Sequence, residues 1–286
     1  MYLRCSMQYY FRYVLGLKER PKLYMSNGSA GHTALELNSK NKIATGADQK
    51  LEEILQNYHD AFDKEIKDFE KSDFKPDDDP GTTKNVTDQI LTVYRHRIAP
   101  DIRPIAVELD FTVPLPATED FEFETKPMQG KIDLVASRGR IMQPNAKPMD
   151  RKGVFDNKFP QRLPSNLQDL ADINDQTTVY DMALTMAGAP PDDLGFIHFV
   201  PPTKTIASRI ITTYRSAELM KPENRLRRHQ RLLYKIRTTA RAIAHGIFIP
   251  TDDPRICAGC GFRDRCQFSL VKNDYDALMI RQKGAE

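Results

Sequence analysis

Gly130-Lys-Ile-Asp-Leu-Val135 and Val154-Phe-Asp-Asn-Lys158 are the two stretches on which the reading of the chain turns. Each is a short apolar run with an acidic residue near one end, and each predicts a strand. Side chains on a strand alternate between faces, so Asp156 and Lys158 point to one side and Asn157 to the other. If the two strands pair, Asp133 joins Asp156 and Lys158. Two carboxylates and an ammonium then surround one point.

Working outward, β-branched and aromatic residues at strand lengths predict further strands at 105–113, 121–125, 194–200 and 205–214, with a helix at 168–187 between the central and later strands. Ahead of the sheet, Tyr9, Tyr10, Phe11 and Tyr13 give a short helix in 2–20 an aromatic face. Gly28-Ser-Ala-Gly-His32 opens a helical segment at 33–37. Apolar residues at Leu51, Ile54, Leu55, Tyr58, Phe62, Ile66 and Phe69 repeat with a helical period. Residues 71–83, with three adjacent aspartates, read as a polar loop, and 85–99 as a helix stopped by Pro100. Residues 47–99 therefore read as a helical insertion. A long helix over 222–245 gathers Leu226, Leu233, Ile236, Ala240, Ile243 and Ala244 on one face, with Arg227, Arg228, Arg231 and Lys235 opposite. This order of elements predicts an α/β fold with a central mixed sheet flanked by helices.

Over 286 residues, 40% are hydrophobic and 28% charged, which is ordinary for a globular chain. The formal net charge of +3 identifies no partner, so any nucleic-acid affinity must come from local patches. No apolar run approaches a membrane span. The first residues lack the basic-then-apolar layout of a secretory signal. The expected setting is a reducing cytoplasm, where the four cysteines serve as metal ligands or spectators rather than disulfides.

Asp133 and Asp156 repel each other when brought together, and a divalent cation removes that conflict. Oxygen donors suit Mg²⁺ or Mn²⁺, which would acidify a bound water and neutralise charge on a phosphate, with Lys158 stabilising the transition state. The competing reading keeps Asp133 and Asp156 as unrelated strand-end residues and Lys158 as solvated. Cys257-Ala-Gly-Cys260 and Cys266 place three thiols on one loop, with Cys5 at the far end of the chain. Four thiolates suit Zn²⁺ or an iron–sulfur cluster, and either would close a very long loop. Gln176 and Tyr180, four apart, share a helix face. His32 gains no role from its local sequence.

Taken in order, these residues resemble the RecB-like nuclease family of the PD-(D/E)xK superfamily, in its iron–sulfur branch of AddB-type and CRISPR-associated four-cysteine exonucleases. The resemblance runs from Cys5 to Cys266. It rests on Cys5 before Tyr9-Tyr-Phe-Arg-Tyr-Val-Leu-Gly-Leu17, the histidine motif at Gly28 to His32, Glu108, and Asp133 in Gly130 to Val135. Asp156-Asn-Lys158, Gln176 to Tyr180 and the three C-terminal cysteines complete it. Ile132 stands where other members carry proline.

The resemblance implies a restriction-endonuclease-like fold in a single nuclease domain over 1–286, with 250–270 and Cys5 forming the iron–sulfur region. It implies that His32, Asp133 and Asp156, with the carbonyl of Asn157, hold Mg²⁺ or Mn²⁺. Lys158 would activate water or stabilise charge, and Gln176 and Tyr180 would position the substrate strand. Cys5, Cys257, Cys260 and Cys266 would hold a 4Fe–4S cluster joining the termini. The implied activity is a DNA exonuclease on single strands or duplex ends, in recombination, repair or CRISPR-type processing. The alternatives are a DNA-binding scaffold without cleavage, a zinc-stapled nuclease and an endonuclease. No Gly-x-x-x-x-Gly-Lys-Ser/Thr occurs, so any helicase or recombination motor would be a separate partner. The expected location is cytoplasmic, that of a host cell if the source is viral.

Overall fold

The computed structural model describes residues 1–19, 22–70, 78–115, 127–138 and 152–270. The expected strand at 121–125 and Asp77 of the acidic run lie outside them. In chain order come α1 (Ser6–Tyr9) with a π-helical continuation (Tyr10–Val14), α2 (Leu23–Thr45), α3 (Leu51–Ile66) and α4 (Pro80–Arg97). Three strands follow, β1 (Ile102–Val113), β2 (Met128–Arg138) and β3 (Lys152–Lys158). Then come α5 (Leu167–Ile173), α6 (Asp175–Met186), β4 (Asp193–Val200), β5 (Arg209–Tyr214), α7 (Pro222–Ala244) and α8 (Pro254–Ala258).

The strands form one mixed sheet in the order β1-β2-β3-β4-β5. Only the β3–β4 pair is parallel, and α5 and α6 make the crossover that a parallel pair requires. Both faces of the sheet are covered. On one, Ala34, Ile54, Tyr58, Phe62, Leu91 and Tyr94 from α2, α3 and α4 pack against Leu134, Ala136, Phe155, Ile197 and Phe199. On the other, Ile132, Val135, Val154 and Leu194 pack with Tyr180 of α6. The 47–99 segment, expected as an insertion, is thus part of the main core: Ile54, Tyr58, Phe62 and Leu91 are fully buried.

Several boundaries move for identifiable reasons. Helix α2 starts at Leu23, so Gly28 and Gly31 lie inside it and do not open it. Asp79 caps α4, accepting from the Gly81 and Thr82 N–H groups at 3.2 and 2.9 Å with Pro80 at the first turn; this part of the acidic run is a helix start. The single helix expected at 168–187 breaks in two, because Asn174 accepts from the Gln176 and Thr177 N–H groups and starts α6 afresh. The strand expected from 205 begins at Arg209.

Among the described residues, 1–19 with 234–270 form one compact unit, and 22–115 with 127–233 form another. In the second unit, the first half of α7 corrects the helical wheel. Leu226 of the expected apolar face is 58% exposed, while Arg225 and His229 turn inward to Asp181 of α6 at 3.1 and 2.9 Å. A buried carboxylate needs partners more than Leu226 needs cover, and it sets the rotation of the helix. No helix among the described residues is long and apolar enough to cross a membrane.

Candidate active site

The β2–β3 ladder pairs Leu134 with Phe155. Continued one step, that antiparallel register sets Asp133 opposite Asp156 at the end of the pair. The backbone N–H of Asn157 donates to Asp133 Oδ2 at 2.9 Å, tying the strands together just beyond the Leu134–Phe155 pair. Two acidic side chains are held side by side by the sheet itself.

Asp156 is 1% exposed, and each of its oxygens has a partner in the site. Lys158 Nζ forms an ion pair with Oδ2. Gln176 Nε2 donates to Oδ1 at 2.5 Å, and the Tyr180 hydroxyl donates to the same atom at 3.2 Å. Lys158 also donates to Gln176 Oε1 at 3.0 Å. Alternation along β3 puts Asp156 and Lys158 on the α6 face, and the four-residue spacing on α6 brings Gln176 and Tyr180 onto both. Tyr180 is buried and donates to Asp156, while Gln176 lies at the surface.

A second cluster lies beside the first. His32 of α2, Glu108 of β1 and Asp133 of β2 offer ligand atoms within 4.8 Å of one another, and His32 Nδ1 is 3.3 Å from Asp133 Oδ2. Phe159 helps to place His32, its ring 5.9 Å away centre to centre and stacked at 4.5 Å on Phe199. This approach requires Gly31, since a Cβ there would sit 2.4 Å from the Phe159 ring. Glu108 adopts φ +47°, a left-handed conformation that costs a non-glycine residue about 1–2 kcal/mol. Such strain inside a strand marks a position held for its side chain.

The charges in this site oppose one another. Burial, then the charge of Asp156, pushes Asp133 up to about 7. Burial, then Asp133 and Glu36, raises Glu108. Burial lowers His32 against the pull of Asp156, so its ring is neutral and able to coordinate. One neutral imidazole and crowded carboxylates form a nitrogen–oxygen donor set that suits a divalent cation. Asp156 is locked to Lys158 and lies outside this triad, and the Asn157 backbone hydrogen-bonds to His32 and Asp133.

Glu108 is the residue that local sequence reading misses; only its place in the family resemblance indicates it, because a left-handed glutamate has no sequence signature. His198 has no local sequence signature either. It lies beside Lys158 across the β3–β4 ladder, 1% exposed, and neither ring nitrogen has a hydrogen-bond partner among the described residues. Arg215 is buried as well and bonds Asn174 O, Thr177 Oγ1 and Thr178 Oγ1 at 2.7–3.0 Å, fixing the backbone on either side of Gln176.

In the other unit, Ser6 Oγ donates to Ile249 O at 2.8 Å, and Phe11 packs on Phe262. These contacts bring Cys5, Cys257, Cys260 and Cys266 around one small cavity. The Phe262 N–H points at Cys260 Sγ at 3.4 Å. Burial, then the neighbouring Cys260, Cys5 and Cys257, raises the Cys266 thiol. Four thiols lining one cavity, with a backbone N–H on one sulfur, are donors of the kind that a zinc ion or an iron–sulfur cluster takes, although no three of their sulfurs lie within 4.8 Å of one another.

A family model described as the PD-(D/E)XK nuclease superfamily matches residues 1–267. No curated protein matches the chain. Solved structures are similar at low identity, two of them as follows. A protein designated SSO0001 has 12% identity and a TM-score of 0.34, with 93% of this chain and 95% of that one covered. A protein from Eubacterium rectale described as a candidate exonuclease has 13% identity and a TM-score of 0.45, with 94% and 82% covered.

Proposed function

The chain belongs to the PD-(D/E)XK nuclease superfamily, and from that membership we propose that it is a Mg²⁺- or Mn²⁺-dependent deoxyribonuclease, an exonuclease acting on single-stranded DNA or duplex ends. One observation carries the reading. The His32–Glu108–Asp133 triad and the Asp156–Lys158–Gln176–Tyr180 network meet at the paired ends of β2 and β3.

His32, Glu108 and Asp133 would hold the cation, with Asp156 alongside. A divalent cation bound there supplies an acidified water and neutralises charge on the phosphate. Lys158, 36% exposed, presents a fixed ammonium at the mouth of the site, and it can donate to a phosphate oxygen as negative charge builds. Gln176 and Tyr180 position Asp156 and Lys158. With Oδ1 held by Gln176 and Tyr180, Asp156 keeps Lys158 in place through Oδ2 before the substrate arrives.

Cys5, Cys257, Cys260 and Cys266 are assigned to a 4Fe–4S cluster supporting a DNA-binding region. Iron and acid-labile sulfide in protein purified without oxygen would support it, and one equivalent of zinc without sulfide would replace it. Recombination, repair or CRISPR-type processing is the proposed setting, with a helicase or recombination protein as the proposed partner.

The test is degradation of end-labelled single strands, linear duplexes and closed circles with Mg²⁺, Mn²⁺ or EDTA, with Lys158→Ala alongside. Metal-dependent loss of linear DNA only, absent in the variant, is the expected result. Cutting of circles would make the enzyme an endonuclease. Binding without cleavage would make it a scaffold.

A further inference from the structure

Phe196 of β4 is fully buried, yet among the described residues it belongs to neither of the apolar clusters that cover the two faces of the sheet. The parallel β3–β4 register pairs it with Asp156, and the β4–β5 register pairs it with Thr213. Paired residues of neighbouring strands share a face, so the Phe196 ring lies on the α6 face, with Asp156 and Lys158. Lys158 Nζ stands over that ring, 5.7 Å from its centre, and the ring of His198 lies 5.8 Å away, centre to centre. A buried phenyl ring with an ammonium, a carboxylate and an imidazole for neighbours has more to do than fill space. We infer that Phe196 is a positioning residue of the nuclease site, whose ring face holds the Lys158 ammonium with one N–H left for a phosphate oxygen. The inference rests on the nuclease reading above and adds a residue that acts through Lys158.

Counting donors shows why a ring suits this place. An ammonium has three N–H groups and no acceptor. Asp156 Oδ2 and Gln176 Oε1 take two of them, the second at 3.0 Å. The third decides what Lys158 can do for a substrate, and a hydroxyl, an amide or a trapped water in the place of Phe196 would accept it. A phenyl ring has a negative face that attracts a cation within about 6 Å of its centre. At 5.7 Å that attraction acts from beyond hydrogen-bond distance, so no N–H is spent on the ring. Leucine would fill the space without the charge.

The ring also completes the hold on a long side chain. Lys158 has four rotatable bonds and is 36% exposed, so contacts on one side alone would let it swing into solvent. Asp156 holds the ammonium from β3, Gln176 from α6 and Phe196 from β4. Burial, then the charge of Lys158, lowers His198, so the imidazole against Phe196 adds no second cation.

The test replaces Phe196 in the full chain with mono-, di- and trifluorinated phenylalanine by amber suppression. Fluorine withdraws the negative charge of the ring face stepwise and alters its shape little. Single-turnover degradation of end-labelled single strands with Mn²⁺ should slow along the series, by about 2- to 5-fold at the last member. Urea midpoints in EDTA should fall further along the series in the wild-type background than in Lys158→Met, because any change in ring hydrophobicity is common to both. A rate unchanged across the series would overturn the positioning role. Equal midpoint shifts in the two backgrounds would overturn it as well, and leave Phe196 as packing alone. Wild type that fails to cleave with Mn²⁺ would overturn the nuclease reading and the positioning role with it, while the midpoints still show whether the ring holds the ammonium.

Discussion

The backbone N–H of Asn157 donates to Asp133 Oδ2 at 2.9 Å, holding that carboxylate beside Asp156. The sheet thus enforces a like-charge contact that the side chains would avoid. Asp133 answers by rising to about 7, above an ordinary 3.8. Metal binding needs the ionised form, so Mn²⁺ affinity should fall about tenfold per unit below about pH 7. Calorimetric titration of Mn²⁺ across that range checks it, and a flat profile would show that Asp133 is not a ligand.

The same shift makes metal-free stability depend on pH with a definite sign. Between about 3.8 and about 7 the folded state holds a proton on Asp133 that the unfolded state has released. Stability from this group is therefore greatest in acid, declines as pH rises to about 7 and is level above. The rise in Tm produced by Mn²⁺ should accordingly be larger at about pH 8 than at about pH 5.5. Thermal unfolding with and without Mn²⁺ measures the difference.

Asp133→Asn keeps an acceptor for the Asn157 N–H and removes the repelled charge. The side chain is 13% exposed, so little of that repulsion is screened by water. Metal-free protein at about pH 8 should gain on the order of 2 kcal/mol in a urea titration. Cleavage should fall to background in the same variant. Loss of stability instead would mean that the carboxylate is better solvated than its burial indicates.

Asp156 and Lys158 should behave as one unit. Lys158→Ala should lower cleavage by at least about 100-fold, the scale of losing one preorganised charge donor. Asp156→Asn should have a comparable effect, and the double variant little more than either alone. A double-mutant cycle in stability should give a coupling of about 1–3 kcal/mol. Additive losses would separate the two residues.

Gly31→Ala would ordinarily stabilise a helix by about 1 kcal/mol. Here the added Cβ meets the Phe159 ring at 2.4 Å, and Phe199 stacked behind it at 4.5 Å blocks its retreat. The expected outcome is a loss of about 1–3 kcal/mol with weaker Mn²⁺ binding as His32 shifts. Adding Phe159→Ala should recover part of the stability, by chemical denaturation.

Local pattern alone determined most of the fold. The short apolar runs at 130–137 and 153–158 are strands, and the helical period after Leu51 is α3, because strand-forming composition and apolar spacing both follow local backbone geometry. The spacing of Asp156 with Lys158, and of Gln176 with Tyr180, likewise sets each pair on one face, since the strand and helix repeats are fixed by the backbone, but the packing of α6 on β3 is what brings the two pairs together. Only the tertiary structure decided which carboxylates share a centre. Glu108 reaches His32 and Asp133 through a left-handed residue in β1, and Asp156 is claimed by Lys158. The inward turn of Arg225 and His229 was equally hidden, because it answers a buried charge on α6, and no wheel drawn on α7 alone contains Asp181.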